Sequence, residues 1–290
     1  MPETHTIQRI KSISYTQFYK DYVNVNKPVI FTDLVDKWPA LTKWTLDYLI
    51  DSFGETKISA YPLKDGYCDV SVNRGSALND FNLKETLESV SIGNLNGGLT
   101  LATLVNDFPE DFYNDFYIPD YCKEGKLLLS RLFIGPKGVL SPLHQDLPEN
   151  LYSMVKGKKR IILFNPNSPV YPSRLSKLPN HSYVDPFKPD FIKFPEFEKA
   201  KPIEIELVAG ETIYLPSLWW HCLENLEPSM AINFWWYQPS SWKLCIAQLV
   251  SAPPKLVHIK SRQKSLILTS VKNEKEQIHI NANCEHSQRV

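Results

Sequence analysis

A mainly β fold with flanking helices is predicted by three features of the 290-residue sequence. Short runs of β-branched and aromatic residues recur at close spacing from residue 126 onward, the pattern of a β-sandwich or barrel. Gly135, Gly157 and Gly210 fall between those runs, where turns are needed. Pro outnumbers Gly, 22 to 11, and aromatics make up 12% of the chain, which suits strands joined by irregular connections.

Three helix starts are legible in the first third. Ser14 with Gln17 has the form of a capping box ahead of Tyr15, Phe18 and Tyr22. Thr45 can cap a helix through Leu46 and Leu49 that ends near Gly54. Asn82 with Glu85 opens a third helix before Leu87. The apolar run Pro28–Phe31 suits a buried strand. Residues 1–125 therefore read as helices and strands flanking a sheet. Residues 126–242 read as the β core, with strands at 126–133, 151–155, 160–164, 203–207, 212–215, 219–223 and 230–237. Residues 165–202 form a long Pro-rich connection, a length that is often functional. Residues 243–290 read as a short helix and a loose polar tail.

Bulk properties exclude several functions. Lys+Arg and Asp+Glu balance at 32 each, so no general attraction to nucleic acid or an anionic membrane is expected. No apolar run reaches transmembrane length, and Met1–Ile10 lacks the apolar stretch of a signal peptide. Five cysteines without a C-x-x-C fit a reducing compartment, cytoplasmic or, in a eukaryote, nuclear.

His144-Gln145-Asp146 is the chain's single H-x-D. In a strand, residues i and i+2 share a face, so one imidazole and one carboxylate can reach a common ion. His221, in a strand-like run, can supply a third ligand from elsewhere. Two histidines and one carboxylate form the facial triad of non-haem iron(II), which leaves open positions for other ligands. The triplet alone is weak, since the chain's His and Asp content makes about 0.4 such matches by chance.

The surroundings are more specific. The block from His144 to Leu151, the hairpin Lys156–Phe164, the segment Ala209–His221 and the strand Ala231–Trp236 resemble, in order, the JmjC and cupin-like oxygenases of the protein asparaginyl-hydroxylase type. Tyr171-Pro172, Val184-Asp185, Pro189-Asp190 and Phe194–Phe197 follow the same order. Lys27–Ile30, Trp38–Ala40 and Trp44 resemble the family's N-terminal module. The likeness covers about residues 25–240. It implies a double-stranded β-helix, or jelly-roll, core. It also implies iron(II) held by His144, Asp146 and His221 as the catalytic metal site, with 2-oxoglutarate and O₂ as co-substrates.

The same resemblance assigns the far carboxylate of 2-oxoglutarate to Lys159, with Ser141 as a hydroxyl donor, and places Asn150 and Asn233 near its 1-carboxylate end. In a strand Lys159 shares a face with apolar Ile161 and Leu163, where an unpaired buried charge is costly; a solvated hairpin turn of Lys156, Lys158, Lys159 and Arg160 is the alternative. Asn233 lies in an apolar strand and needs partners; capping of a neighbouring strand is the alternative. Tyr152 and Trp235 would face the cavity or pack in the core. Where the family carries a tyrosine that helps bind 2-oxoglutarate, this chain reads Leu99-Thr100-Leu101-Ala102, leaving Thr100 or a nearby tyrosine to substitute. Gln145 stands where the family commonly has tyrosine, on the side away from the metal.

The expected activity is hydroxylation of a protein side chain, with 2-oxoglutarate decarboxylated to succinate. Lysine demethylation and hydroxylation of a modified tRNA base are alternatives within the family, and a degenerate cupin interaction module is one outside it. Expected partners are a protein or peptide substrate, without nucleic acid or membrane. The resemblance implies a homodimer that the C-terminal residues do not require.

Overall fold

The computed structural model describes residues 6–68, 81–122, 126–173 and 180–238. Its larger sheet runs in the order β1 (Arg9–Ile10), β2 (Val29–Phe31), β13 (Thr212–Leu215), β10 (Glu149–Lys156), β15 (Ser229–Tyr237), β8 (Lys126–Gly135), β7 (Leu99–Leu104), β4 (Ala60–Lys64) and β5 (Tyr67–Cys68). The smaller sheet is β12 (Ile203–Val208), β11 (Lys158–Phe164), β14 (Trp220–Asn225) and β9 (His144–Gln145). A short ribbon joins β3 (Lys57–Ile58) to β6 (Phe81–Asn82). From β8 to β15 the chain passes back and forth between the two sheets with antiparallel pairing, the winding of a double-stranded β-helix.

Period-two alternation assigns each strand's side chains to two faces. Leu151, Tyr214, Ile232, Phe234 and Trp236 point outward from the larger sheet. They pack beneath the N-terminal helices α1 (Tyr15–Phe18), α2 (Ala40–Lys43), α3 (Leu46–Phe53) and α4 (Leu83–Ile92), with Phe18, Trp38, Trp44 and Phe116 among the contacts. Tyr152, Met154, Ile213, Leu215 and Ala231 point inward and meet Ile161, Leu163, Ile205 and Leu207 of the smaller sheet. That sandwich core gives way to polar inward residues along β14, β15 and β8.

The sequence led us to expect N-terminal strands that flank a sheet; they join it instead. β2, β4 and β7 are members of the large sheet itself. The apolar run of β2 is fully buried because β1 and β13 pair with both its edges. Two helix caps also differ. Ser14 Oγ accepts from Gln17 N at 3.2 Å, but the Gln17 amide turns to Asp21 instead of closing a box, and one α-turn passes into a π-turn at Tyr19–Val23. Asn82 precedes α4 without a side-chain cap. Thr45 does cap α3, accepting from Tyr48 N at 3.0 Å.

Gly157 turns β10 into β11 at φ 73°, where a Cβ would lie 2.2 Å from Pro228 O. Gly135 closes a strand and makes no turn; a Cβ there would lie 2.6 Å from Thr100 Oγ1. The connection 165–202 is not loose in its described parts. Val170, Val184 and Phe197 cover Ile162, Phe164, Trp220 and Cys222 on the outer face of the smaller sheet. The expected C-terminal helix and tail lie outside the described residues.

Asp115 ties the helical layer together. Its carboxylate accepts from Lys43 Nζ at 2.9 Å, Trp44 Nε1 at 3.0 Å and Tyr48 OH at 2.7 Å. Burial pulls its pKa up, but these donors outweigh burial and leave it below the ordinary value. A depressed carboxylate contributes stability above its unfolded pKa and loses that contribution as pH falls through the folded one. Urea unfolding should therefore show stability falling below about pH 4. Asp115→Asn should lower stability at pH 7 by about 1–3 kcal/mol and flatten that acid slope.

Candidate functional site

The polar side of the sandwich is assembled by one ladder. β14 pairs with β9 on one side, His221 opposite His144, and with β11 on the other, Asn225 opposite Lys159. Trp220 and Cys222 face outward, so His221, Leu223 and Asn225 face inward. By the same parity His144 faces in and Gln145, opposite Trp220, faces out, as expected.

One metal-competent cluster is found among the described residues: His144, Asp146 and His221, with ligand atoms all within 4.8 Å of one another. His144 Nδ1 lies 2.8 Å from Pro142 O and His221 Nδ1 lies 2.9 Å from Trp219 O. Both Nδ1 atoms act as N–H donors to carbonyls, so both Nε2 lone pairs are directed into the cluster. Burial and the neighbouring His144 hold His221 well below the usual histidine pKa, although Asp146 pulls the other way; the imidazole is neutral, as a ligand must be.

Asp146 reaches the cluster differently from expectation. β9 ends at Gln145, so shared strand parity does not place the carboxylate. A knot of hydrogen bonds does. Leu218 N–H donates to Asp146 O at 2.8 Å, Ser217 Oγ to Leu147 O at 2.5 Å, and Ser217 N–H to Glu149 Oε2 at 3.0 Å. Tyr214 OH and Gln238 Nε2 complete the Glu149 shell at 2.6 and 2.8 Å. Trp235 Nε1 then donates to Asp146 Oδ2 at 3.2 Å. The turn bearing Asp146 and the loop leading to His221 are thus one fixed unit.

Beyond the cluster the inward face is rich in donors and poor in free acceptors. Lys159 is buried at 7% exposure, and its only hydrogen-bond partner among the described residues is the neutral Asn225 amide oxygen. Burial pushes its pKa down to about 8. Tyr152 OH has no partner among the described residues, and Lys159 Nζ lies 6.0 Å from the centre of its ring. Ser141 Oγ accepts from Leu223 N at 2.8 Å, which leaves its own proton available. Asn233 Oδ1 accepts from Arg131 N at 3.0 Å, and its Nδ2 donates to Asn150 Oδ1 at 3.3 Å, so the Asn150 amide protons remain free. The strand-capping alternative for Asn233 is thus satisfied, with one amide proton still available. Thr100 commits its proton to Ile134 O at 3.1 Å and has none to give a carboxylate.

The Cupin-like domain family matches residues 15–241. The chain belongs to this family. It is 33% identical over 80% of its length to lysine-specific demethylase 8 of Danio rerio, covering 59% of that protein. It is 26% identical over 82% of its length to the bifunctional peptidase and (3S)-lysyl hydroxylase JMJD7 of Homo sapiens, covering 86% of it. It is 28% identical over 79% of its length to the tRNA wybutosine-synthesizing protein 5 of Gallus gallus, covering 76%. The chain spans roughly half of the demethylase-named relatives, 59%, 52% and 54% of three of them. These matches place it among the JmjC, cupin-like oxygenases that its motifs resemble. No helix among the described residues is long and apolar enough to cross a membrane.

Three residues of this cupin site carried no motif. Asn225 holds Lys159 from the strand opposite. His181, from the long connection, bridges to His144 and stacks on it with ring centres 5.5 Å apart. Arg131 interrupts the apolar strand Leu127–Ile134, and a lone charge in such a run is the signal that could have found it. Replacing Trp235 by Phe removes the indole donor from Asp146 while keeping an aromatic ring. Its Mn(II) affinity, read by calorimetry, should fall about 10- to 100-fold, the usual effect of losing a ligand's orienting partner.

Proposed function

We propose that the protein is an iron(II)- and 2-oxoglutarate-dependent oxygenase that hydroxylates a side chain of a protein substrate. His144, Asp146 and His221 hold the metal. Lys159, with Ser141 and Tyr152, takes the far carboxylate of 2-oxoglutarate, and Asn150 with Asn233 lies towards its 1-carboxylate. Tyr152 fills the place of the tyrosine absent from 99–102. The observation that carries this reading is a buried lysine without a carboxylate among the described residues, on the same strand ladder as a two-histidine, one-carboxylate cluster.

When bound, iron(II) with 2-oxoglutarate and O₂ supplies the oxidising power and leaves succinate and CO₂. The chain supplies placement. Carbonyl acceptors at Pro142 and Trp219 fix the tautomers of His144 and His221. Trp235 orients Asp146. Lys159 neutralises a carboxylate in a setting where an unpaired charge would be costly. Relatives named demethylases and hydroxylases support oxidation of a protein side chain. The same relatives make lysine demethylation the second reading.

Succinate production followed by NMR tests the reading. Wild-type protein with iron(II) and 2-oxoglutarate should turn over slowly alone and faster with substrate, and His144→Ala or Asp146→Ala should fall to background. Failure of wild-type protein to bind Mn(II) and 2-oxoglutarate together would leave only an interaction module.

The Lys159 ammonium makes a pH prediction. Its pKa is lowered to about 8, so the free protein loses the binding charge as pH rises through that value. The 2-oxoglutarate Kd should be flat from about pH 6.5 to 7.5 and then weaken up to about tenfold per unit. Lys159→Met should weaken binding at every pH and remove the slope.

A further inference from the structure

A second cation faces the same interior and is not accounted for by the cofactor. Arg131 lies in β8 directly opposite Asn233, on the inward face. Its guanidinium sits 5.7 Å from the Trp235 ring, and that indole donates to Asp146. Trp235 thus neighbours both Arg131, at its ring, and the metal cluster, through its indole N–H. Among the described residues Arg131 has no carboxylate partner. Nε is buried without an acceptor, and Nη1 has one long contact, 3.4 Å to Ala102 O. The nearby acids are committed elsewhere. Asp146 is turned towards His221 and Trp235. Glu149 shares the outward face with Trp236 and is held by Tyr214, Ser217 and Gln238.

Charge balance shows what is missing. An iron(II) ion, the Asp146 carboxylate, a 2-oxoglutarate dianion and the Lys159 ammonium sum to zero. Arg131 leaves one uncompensated positive charge beside the reacting centre, a costly arrangement unless an anion arrives with the substrate. A guanidinium with free N–H groups matches a carboxylate in two-point geometry.

Resting on the oxygenase reading above, we infer that Arg131 selects the substrate by receiving a carboxylate, the side chain of an aspartate or glutamate at or beside the residue that is oxidised. The same charge repels a lysine or arginine target. This chain is therefore set apart from relatives whose names specify lysine.

The test is capture of peptides from a synthetic random nonamer library by immobilised protein loaded with Mn(II) and 2-oxoglutarate, read by mass spectrometry. Wild-type protein should enrich Asp and Glu at one position at least fivefold. Arg131→Gln should abolish the enrichment, Arg131→Lys should keep part of it, and Arg131→Glu should enrich Lys and Arg instead. The 2-oxoglutarate Kd, measured on the same variants, should stay within about twofold, since one charge-neutral pair already serves the cofactor. Acidic enrichment that survives in Arg131→Gln, basic enrichment by wild-type protein, or retention of RNA oligonucleotides in place of peptides overturns the inference. A tenfold loss of 2-oxoglutarate affinity in Arg131→Gln also overturns it, by assigning Arg131 to the cofactor. Failure of wild-type protein to bind 2-oxoglutarate overturns the oxygenase reading, and this inference with it.

Discussion

The register of β14 between β9 and β11 is the constraint on which the rest depends. One set of backbone hydrogen bonds puts His221 across from His144 and, four residues along, Asn225 across from Lys159. Four residues of strand span about 13 Å and preserve the face. A slip of one residue would turn His221 and Asn225 outward and bring Trp220 and Cys222 into the site. Packing guards against that slip, because those two residues fill the cluster under the long connection.

The interior is built for two purposes that conflict. Ile205, Leu207, Ile213 and Leu215, on β12 and β13, form one side as ordinary core. Across the other strands the chain buries a lysine, three asparagines and a tyrosine hydroxyl, and keeps a half-buried arginine, with donors in excess among the described residues. Such groups cost stability when unmatched. The cost is carried by the large apolar cluster on the outward face of the nine-stranded sheet, where Trp44, Trp236, Tyr214 and Phe234 are fully buried. The helical layer thus serves the site without touching it, by holding rigid the sheet whose inner face bears Asn150, Tyr152, Asn233 and Trp235.

Much of this was legible in order along the chain. Strand alternation located β8 and β10 to β15 within one or two residues, and it put Lys159, Ile161 and Leu163 on one face, because period two is a local property of the backbone. The ordered blocks around His144, Lys159 and His221 pointed to the cupin core. Less legible were the short strands β4 and β7, whose sequences include Pro62 and the mixed run Leu99–Leu104 and which become strands by pairing with β8 and each other. Asp146 does lie with His144 and His221, for a reason other than strand parity. Strand parity predicted it, whereas the Ser217 and Leu218 contacts from a distant loop position it.

The sequence by itself determined residue types and their local facing: which histidines and which carboxylate stand near strands, which lysine shares an apolar face, and where turns fall. Tertiary structure alone decided which polar groups remain unsatisfied. Thr100 or a nearby tyrosine could stand in for the missing tyrosine by sequence; pairing gives the Thr100 proton to Ile134, and the Tyr152 ring lies 6.0 Å from Lys159 Nζ with no hydroxyl partner among the described residues. Arg131 was one charge among 32 Lys and Arg residues until the fold set it beside Trp235 with no anion among the described residues. Satisfaction of a hydrogen bond or a charge depends on neighbours tens to hundreds of residues away, and a single strand's pattern contains no information about them.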